Sequence, residues 1–133
     1  MKAIAARTTR GLNLGAVMPA ADNSGARVVR LVSVKKWKGK KGRQAAAKVG
    51  DWVKVSIRKR VPDMRGKVFD AVVVRQKKSY RRLTGERVAF EDNAVAILKD
   101  DKGNPKGTQI KGPVAREIQE RWPQVAKIAS SVY

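Results

Sequence analysis

The run Val72, Val73, Val74 sets the tightest limit on how this chain can fold. Consecutive β-branched residues lose side-chain freedom in a helix and pack best on a pleated sheet. With Phe69 and Ala71 they form a nearly continuous apolar segment, the mark of a strand covered on both faces. It is followed at once by Arg75 to Arg82, where five of eight residues are cationic. Clustered cations need water or an anion. The sequence therefore reads as a strand fixed in a core that drives straight into a charged projection.

The remaining segments read mainly as short strands. Val53, Val55 and Ile57 alternate with Lys54, Ser56 and Arg58, which predicts a strand buried on one face, with Pro62 ending it. A longer strand is predicted over Ala26–Val34, after a short strand and a turn at Asp22, Asn23, Ser24 and Gly25, all turn formers. "RVAF" and "AVAILKD" supply two more strands, and "DDKGNPKG" a punctuated turn. Between Arg27 and Lys48 there are nine cations and no acid, and the glycine-broken centre of that stretch predicts a long basic loop. Residues 1–12 are polar and irregular, so a mobile arm or one that orders on a partner is expected. From residue 113 the spacing turns helical: Val114, Ile118, Trp122, Val125 and Ile128 share a face. Pro113 suits the start of this helical tail, and Pro123 divides it in two. Trp52, Phe69, Phe90 and Trp122 read as core. These elements predict one mainly β domain over 1–133, with an arm at 1–12, a small closed barrel with basic loops at 13–112, and a helical tail at 113–133.

Charge decides the class of partner. Lys plus Arg number 31 against 11 Asp plus Glu, giving a net charge of +20 and a pI near 11.1. Such a chain suits nucleic acid or an anionic membrane. No apolar run approaches the roughly 18 residues that span a bilayer, so no membrane partner is expected. Nor does the N-terminal segment have signal-peptide character, and a cytoplasmic protein is expected. With no cysteine and no histidine, thiolate chemistry, cysteine-based zinc sites and the usual neutral-pH base are absent. No phosphate-loop or nucleophile-turn motif occurs. The acidic pairs Glu91–Asp92 and Asp100–Asp101 fall where turns need Asp; a metal-dependent nuclease built on them is the enzymatic alternative. The expectation is a non-enzyme with no cofactor and no metal site.

Two cationic clusters stand out. Lys35, Lys36, Lys38, Lys40, Lys41 and Arg43 share the long loop, while Arg75, Lys77, Lys78, Arg81 and Arg82 follow the valine strand. Together they predict a polyphosphate footprint. Trp37 and Tyr80 stand inside these clusters and are candidates for stacking on bases, which would suit a free module that coats single strands. The aromatic signature of an RNA-binding sheet is missing, which favours phosphate and shape recognition of folded RNA.

Several stretches carry a family resemblance: "ADNSGAR" at Ala21–Arg27, "VGD" at Val49–Asp51, "AVVVR" at Ala71–Arg75, "FEDNAVAIL" at Phe90–Leu98 and "KGTQIKGPVARE" at Lys106–Glu117. In this order and spacing, across about residues 15–130, the chain resembles the universal large-subunit ribosomal protein L-fourteen family. "PDMR" at 62–65, "RWP" at Arg121–Pro123 and the long basic loop resemble its archaeal and eukaryotic branch. Two positions depart from the pattern: Thr84 stands before Gly85 where Asp, Asn or Ser is usual, and Ala96 where a larger aliphatic is usual.

The resemblance implies a five-stranded β-barrel with basic loop and hairpin projections and a short C-terminal helical extension. It implies a structural constituent of the large ribosomal subunit that binds large-subunit rRNA and touches small-subunit rRNA at an intersubunit bridge. It further implies contact with neighbouring large-subunit proteins, including ribosomal protein L-three, and a tail that receives the anti-association initiation factor six. Exposed tail residues Arg116, Glu120 and Arg121 are the candidates for that protein contact.

Overall fold

The computed structural model describes residues 3–37, 39–60 and 66–133. Lys38 and the segment 61–65, which includes the Pro62 expected to end a strand, lie outside the described residues. The elements run in the order β1 (Ala6–Arg7), β2 (Leu12–Asn13), β3 (Val17–Pro19), β4 (Ala26–Val34), β5 (Ala46–Ala47), β6 (Trp52–Arg60), β7 (Val68–Arg75), β8 (Tyr80–Arg82), β9 (Arg87–Val88), β10 (Ala94–Ile97) and β11 (Ile110–Val114). Two short helices, α1 (Arg116–Arg121) and α2 (Pro123–Lys127), and a last strand, β12 (Ala129–Val132), complete the chain.

Five strands make one curled antiparallel sheet in the order β10–β7–β6–β4–β3. Its edges meet where Ala20, just past β3, bridges Val95 on β10, with the Ala21 N–H donating to Val95 O at 2.8 Å. A side chain then continues the seam: Asp22 Oδ2 accepts the Ile97 N–H at 2.8 Å. Asn23 Oδ1 accepts the N–H groups of Thr108 and Gln109 at 2.8 and 3.2 Å, while its Nδ2 donates to Thr108 Oγ1 at 2.8 Å. The Asp22–Gly25 stretch is thus both the predicted turn and the staple of the sheet's seam.

Strand parity builds two cores. On β7, Ala71 and Val73 point inside the curl with Val29, Leu31, Val53, Val55, Ile57, Val95 and Ile97. Val72 and Val74 point outward, beneath Tyr80, Ile110, Val114, Ile118, Trp122 and Val125. Both sets are closed to solvent, which explains why the strand reads as an unbroken apolar run. Predicted β4 and β6 appear as expected, and Val53, Val55 and Ile57 are buried. Of the four aromatics read as core, Phe90 and Trp122 are buried while Trp52 and Phe69 are half-buried.

The tail departs from expectation at both ends. Pro113 belongs to β11, and the helix begins only at Arg116. A rigid φ suits an extended strand equally well, and Pro113 is exposed, with no need for an inward N–H. Pro123 does divide the helical segment, at the first position of α2. The chain then forms β12, which pairs parallel with β11 through Ile110–Ala129, Pro113–Ser131 and Val114–Val132.

The stretch read as an arm is held by the protein itself. Ala6–Arg7 pair with β8, and Leu12–Asn13 pair with β5. Between them Thr9 O accepts from Gln76 Nε2 at 2.8 Å. Gln76 is fully buried, and its Oε1 accepts the Val49 N–H at 3.0 Å.

Candidate nucleic-acid interface

Burial and hydrogen bonding sort ten of the eleven predicted RNA-contacting cations into different jobs, Lys38 lying outside the described residues. Arg75 is 9% exposed, and all three nitrogens of its guanidinium are engaged. Nε and Nη2 donate to the Asp92 carboxylate at 2.7 and 3.3 Å, and Nη1 donates to the carbonyls of Lys111 and Pro113 at 3.0 Å each. It clamps β11 onto β7. Gly112 makes the clamp feasible: its φ is +80°, and a Cβ there would lie 3.0 Å from Arg75 Nη1. Of the cations expected to contact RNA, Arg75 thus has its guanidinium buried and committed inside the fold.

Arg82 and Tyr80 are likewise engaged inside the fold. Arg82 is 7% exposed; its Nε donates to Glu117 Oε1 at 2.8 Å and its Nη2 to the Tyr133 main-chain oxygen at 2.6 Å. Tyr80 is fully buried, and its hydroxyl donates to Glu117 Oε2 at 2.7 Å. Burial alone would raise the Glu117 carboxyl, but hydrogen bonds from Arg82 and Tyr80 outweigh it and hold the group below its ordinary range. Burial, then the Glu117 carboxylate, pushes the Tyr80 hydroxyl well above its ordinary value. Tyr80 is a core residue, with its ring closed to solvent.

The segment after β7 is consequently not a loose projection. It turns over Lys77 and Lys78 and returns as β8, the centre of a small antiparallel sheet ordered β1–β8–β9. Parity there buries Tyr80 and Arg82 and leaves Arg81 exposed. Lys77 and Lys78 are exposed at the turn, where Asn93 Oδ1 accepts the Lys77 N–H at 2.8 Å.

In the long loop, Lys36, Lys40, Lys41 and Arg43 are exposed. Lys36 and Lys41 sit at φ of +63° and +56°, the left-handed region that costs a residue with a Cβ about 1–2 kcal/mol. Lys35 is partly committed: its Nζ lies 3.2 Å from Asp70 Oδ2 and 3.7 Å from the centre of the Trp52 ring. Trp37 is half-buried, with the Arg10 guanidinium 4.5 Å over its ring. One face of the ring is thus covered by the protein's own cation.

Arg10, a cation of the N-terminal stretch outside the two predicted clusters, joins them. Its neighbours Thr9 and Gly11 meet the β7–β8 turn, through Gln76 and against Lys78, where a Cβ on Gly11 would come within 2.9 Å of Lys78 Cβ. Arg10 itself meets the long loop at Trp37. The residues 9–11 thus lie between the two basic surfaces.

In the tail, Arg116 and Glu120 are exposed on α1. Arg121 is half-buried, with Nη1 3.5 Å from the Gly50 carbonyl and 3.9 Å from Asp51. Trp122 Nε1 donates to the same carbonyl at 2.9 Å. Burial raises the Asp51 carboxyl, against a hydrogen bond from Lys48 N–H and the charges of Lys48, Arg121 and Arg10. Arg121, Trp52, Trp122, Lys36 and Lys102 border a cleft of 440 Å³.

The acidic pairs behave as turn residues. Asp92 holds Arg75, and Asp100 accepts from the Lys102 and Asn104 N–H groups at 3.0 and 3.3 Å. Among the described residues no group of three acidic side chains could hold a metal ion.

A family model for ribosomal protein L14p/L23e matches residues 11–133. The chain belongs to this family. Among its relatives, the large ribosomal subunit protein uL14 of Nanoarchaeum equitans is 58% identical over 129 residues, covering 97% of each chain. Proteins of the same name from Thermoplasma acidophilum and Methanothrix thermoacetophila are 54% and 50% identical over 132 residues, each covering 99% of both chains. Membership makes the chain a structural protein of the large ribosomal subunit, cytoplasmic within the ribosome, and not an enzyme. Family membership also accounts for the motif positions: "ADNSGAR" forms the seam of the sheet, and "KGTQIKGPVARE" docks β11 and α1 on its outer face.

Proposed function

We propose that this chain fixes the geometry of large-subunit rRNA by neutralising phosphates with Lys36, Lys40, Lys41, Arg43, Lys77, Lys78 and Arg81. The observation that carries this reading is the sorting of charge. Arg75 and Arg82 are paired and buried, whereas these seven cations are exposed and project from the fold. Exposed cations without a structural job repel one another unless a polyanion is present. The left-handed backbone at Lys36 and Lys41 supports the same reading, since a lysine held where glycine would be cheaper must be useful elsewhere. Half-covered Trp37 and buried Tyr80 argue against a module that coats single strands by stacking.

The finer assignments rest on the resemblance to the L-fourteen family. They are contact with small-subunit rRNA at an intersubunit bridge, with ribosomal protein L-three, and with initiation factor six at the tail. Arg116 and Glu120 are the exposed side chains suited to the factor contact; Arg121 partly serves Gly50 and Asp51.

Changing Lys40, Lys41, Lys77 and Lys78 together to Glu tests the RNA role. Gradient sedimentation is expected to show the variant lost from large subunits, with the isolated chain still folded. Full incorporation at high salt would remove the role given to these clusters. For the tail, Arg116→Glu is expected to weaken binding of initiation factor six to isolated large subunits without changing incorporation. Unchanged factor binding in both Arg116→Glu and Glu120→Lys would end that assignment.

A further inference from the structure

Three arginines stand side by side on the small sheet. In Cα register Arg7 lies opposite Arg81, and Arg81 lies opposite Arg87. Directly opposed residues project from the same face, and neighbouring strands are about 4.7–4.9 Å apart. Burial agrees with that parity. Ala6, Tyr80, Arg82 and Val88 turn inward, while Arg7, Arg81 and Arg87 are exposed. The outer face of β1–β8–β9 therefore carries three exposed arginines in register across its strands.

Like charges placed directly opposite one another destabilise a sheet. The nearby acids do not pair with this row. Glu117, the acid beneath it, is committed to Arg82 and Tyr80 on the inward face. Glu86 sits in the hairpin turn, and among the described residues no ion pair reaches Arg7, Arg81 or Arg87. Arg87 is further oriented by donating from Nη2 to Ser79 Oγ at 3.2 Å. Arg7 and Arg81 border a shallow depression of 320 Å³ with Arg82 and Leu83.

We propose that Arg7, Arg81 and Arg87 form a phosphate-binding row that takes the sugar–phosphate backbone of one RNA strand lying across β1, β8 and β9. This rests on the RNA-binding reading above and adds Arg7 and Arg87 to it, neither of which belongs to the two clusters seen in the sequence. Guanidiniums offer forked donors matched to phosphate oxygens. A repeated row of identical cations suits a ligand whose charge also repeats at regular intervals. An acidic protein segment is the competing occupant.

Arg81→Gln, at the centre of the row, makes two predictions of opposite sign. In the isolated chain the melting temperature rises by roughly 1–3 °C at low salt, because repulsion from both neighbouring arginines is relieved. With deproteinised large-subunit rRNA between 50 and 200 mM salt, log K against log salt becomes shallower by about 0.7–0.9 for each phosphate that is no longer neutralised. A lower melting temperature would mean that Arg81 has an internal job and would overturn the row. So would an unchanged salt slope. Binding of poly-glutamate that is weakened by Arg81→Gln while the rRNA slope stays intact would assign the row to an acidic protein instead. A wild-type chain that fails to bind the rRNA at any salt would bring down the RNA reading itself, an outcome separate from a variant that matches a binding wild type.

Discussion

Removing the Glu117 carboxylate should cost more stability than any other single polar change under the tail. Glu117 and Arg82 have side chains only 6% and 7% exposed, and Glu117 accepts from Tyr80 as well. Breaking a buried ion pair from one side costs about 3–5 kcal/mol, because the surviving charge is left uncompensated. Arg82 would retain the Tyr133 main-chain oxygen at 2.6 Å and the Tyr80 hydroxyl at 3.4 Å, which places Glu117→Gln at the lower end, about 3 kcal/mol. For a domain of this size that is roughly a 10 °C fall in melting temperature. Tyr80→Phe removes one hydrogen bond to a charged acceptor and should cost about 1.5–3 kcal/mol. Urea unfolding followed by tryptophan fluorescence is a suitable assay, since Trp52 and Trp122 pack edge to face in the same core, with ring centres 6.1 Å apart.

The decisive comparison is Glu117→Leu with Arg82→Met in one chain. If the cost of each single change is mainly an orphaned partner, the double variant recovers most of the loss, since apolar replacement of a whole buried pair is often neutral. A double variant as unstable as the sum of its parents would refute the reasoning. It would mean that shape, or the link from Arg82 to Tyr133, matters more than charge pairing.

Acid offers an independent check on the same group: the folded Glu117 carboxyl is depressed below its ordinary 4.5, so its contribution is present above that pH and is lost as pH falls through the folded value. The stability gap between wild type and Glu117→Gln should therefore close on acidification below about pH 4.5 in a urea series. Asp22 has the opposite sign, since burial raises it above 3.8 and stability from that group falls as pH rises through the window between the two values. Gly112→Ala should destabilise by about 1–3 kcal/mol in thermal melts, because alanine is strained at φ of +80° and its Cβ would crowd Arg75 Nη1. Lys77→Glu with Lys78→Glu should stay within about 0.5 kcal/mol of wild type in the same melts, because both side chains are exposed.

Sequence made the sheet readable but not the fate of its charges. The Val53–Ile57 alternation has the period of two of a strand buried on one face, and the unbroken valine run marks a strand covered on both, so β6 and β7 could be read without a partner in view. A cation's job depends instead on carboxylates far along the chain: Asp92 is 17 residues from Arg75, and Glu117 is 35 from Arg82. One local signal existed. If 80–82 form a strand, Tyr80 and Arg82 share a face opposite Arg81, and a tyrosine is the better candidate for the inward side. That parity alone separates a buried arginine from an exposed one. β12 gave no such signal, because its burial is slight and its pairing with β11 is parallel across two intervening helices. Parallel pairing leaves no turn residue next to the strand to announce it. The row of Arg7, Arg81 and Arg87 was hidden for the same reason: its members come from three strands, and only the register of β1 and β9 on β8 makes them neighbours. This part of the basic surface is thus a property of pairing rather than of sequence clusters. Two members of what looks like one charged run, Arg75 and Arg82, hold the tail in place so that the other cations can face outward.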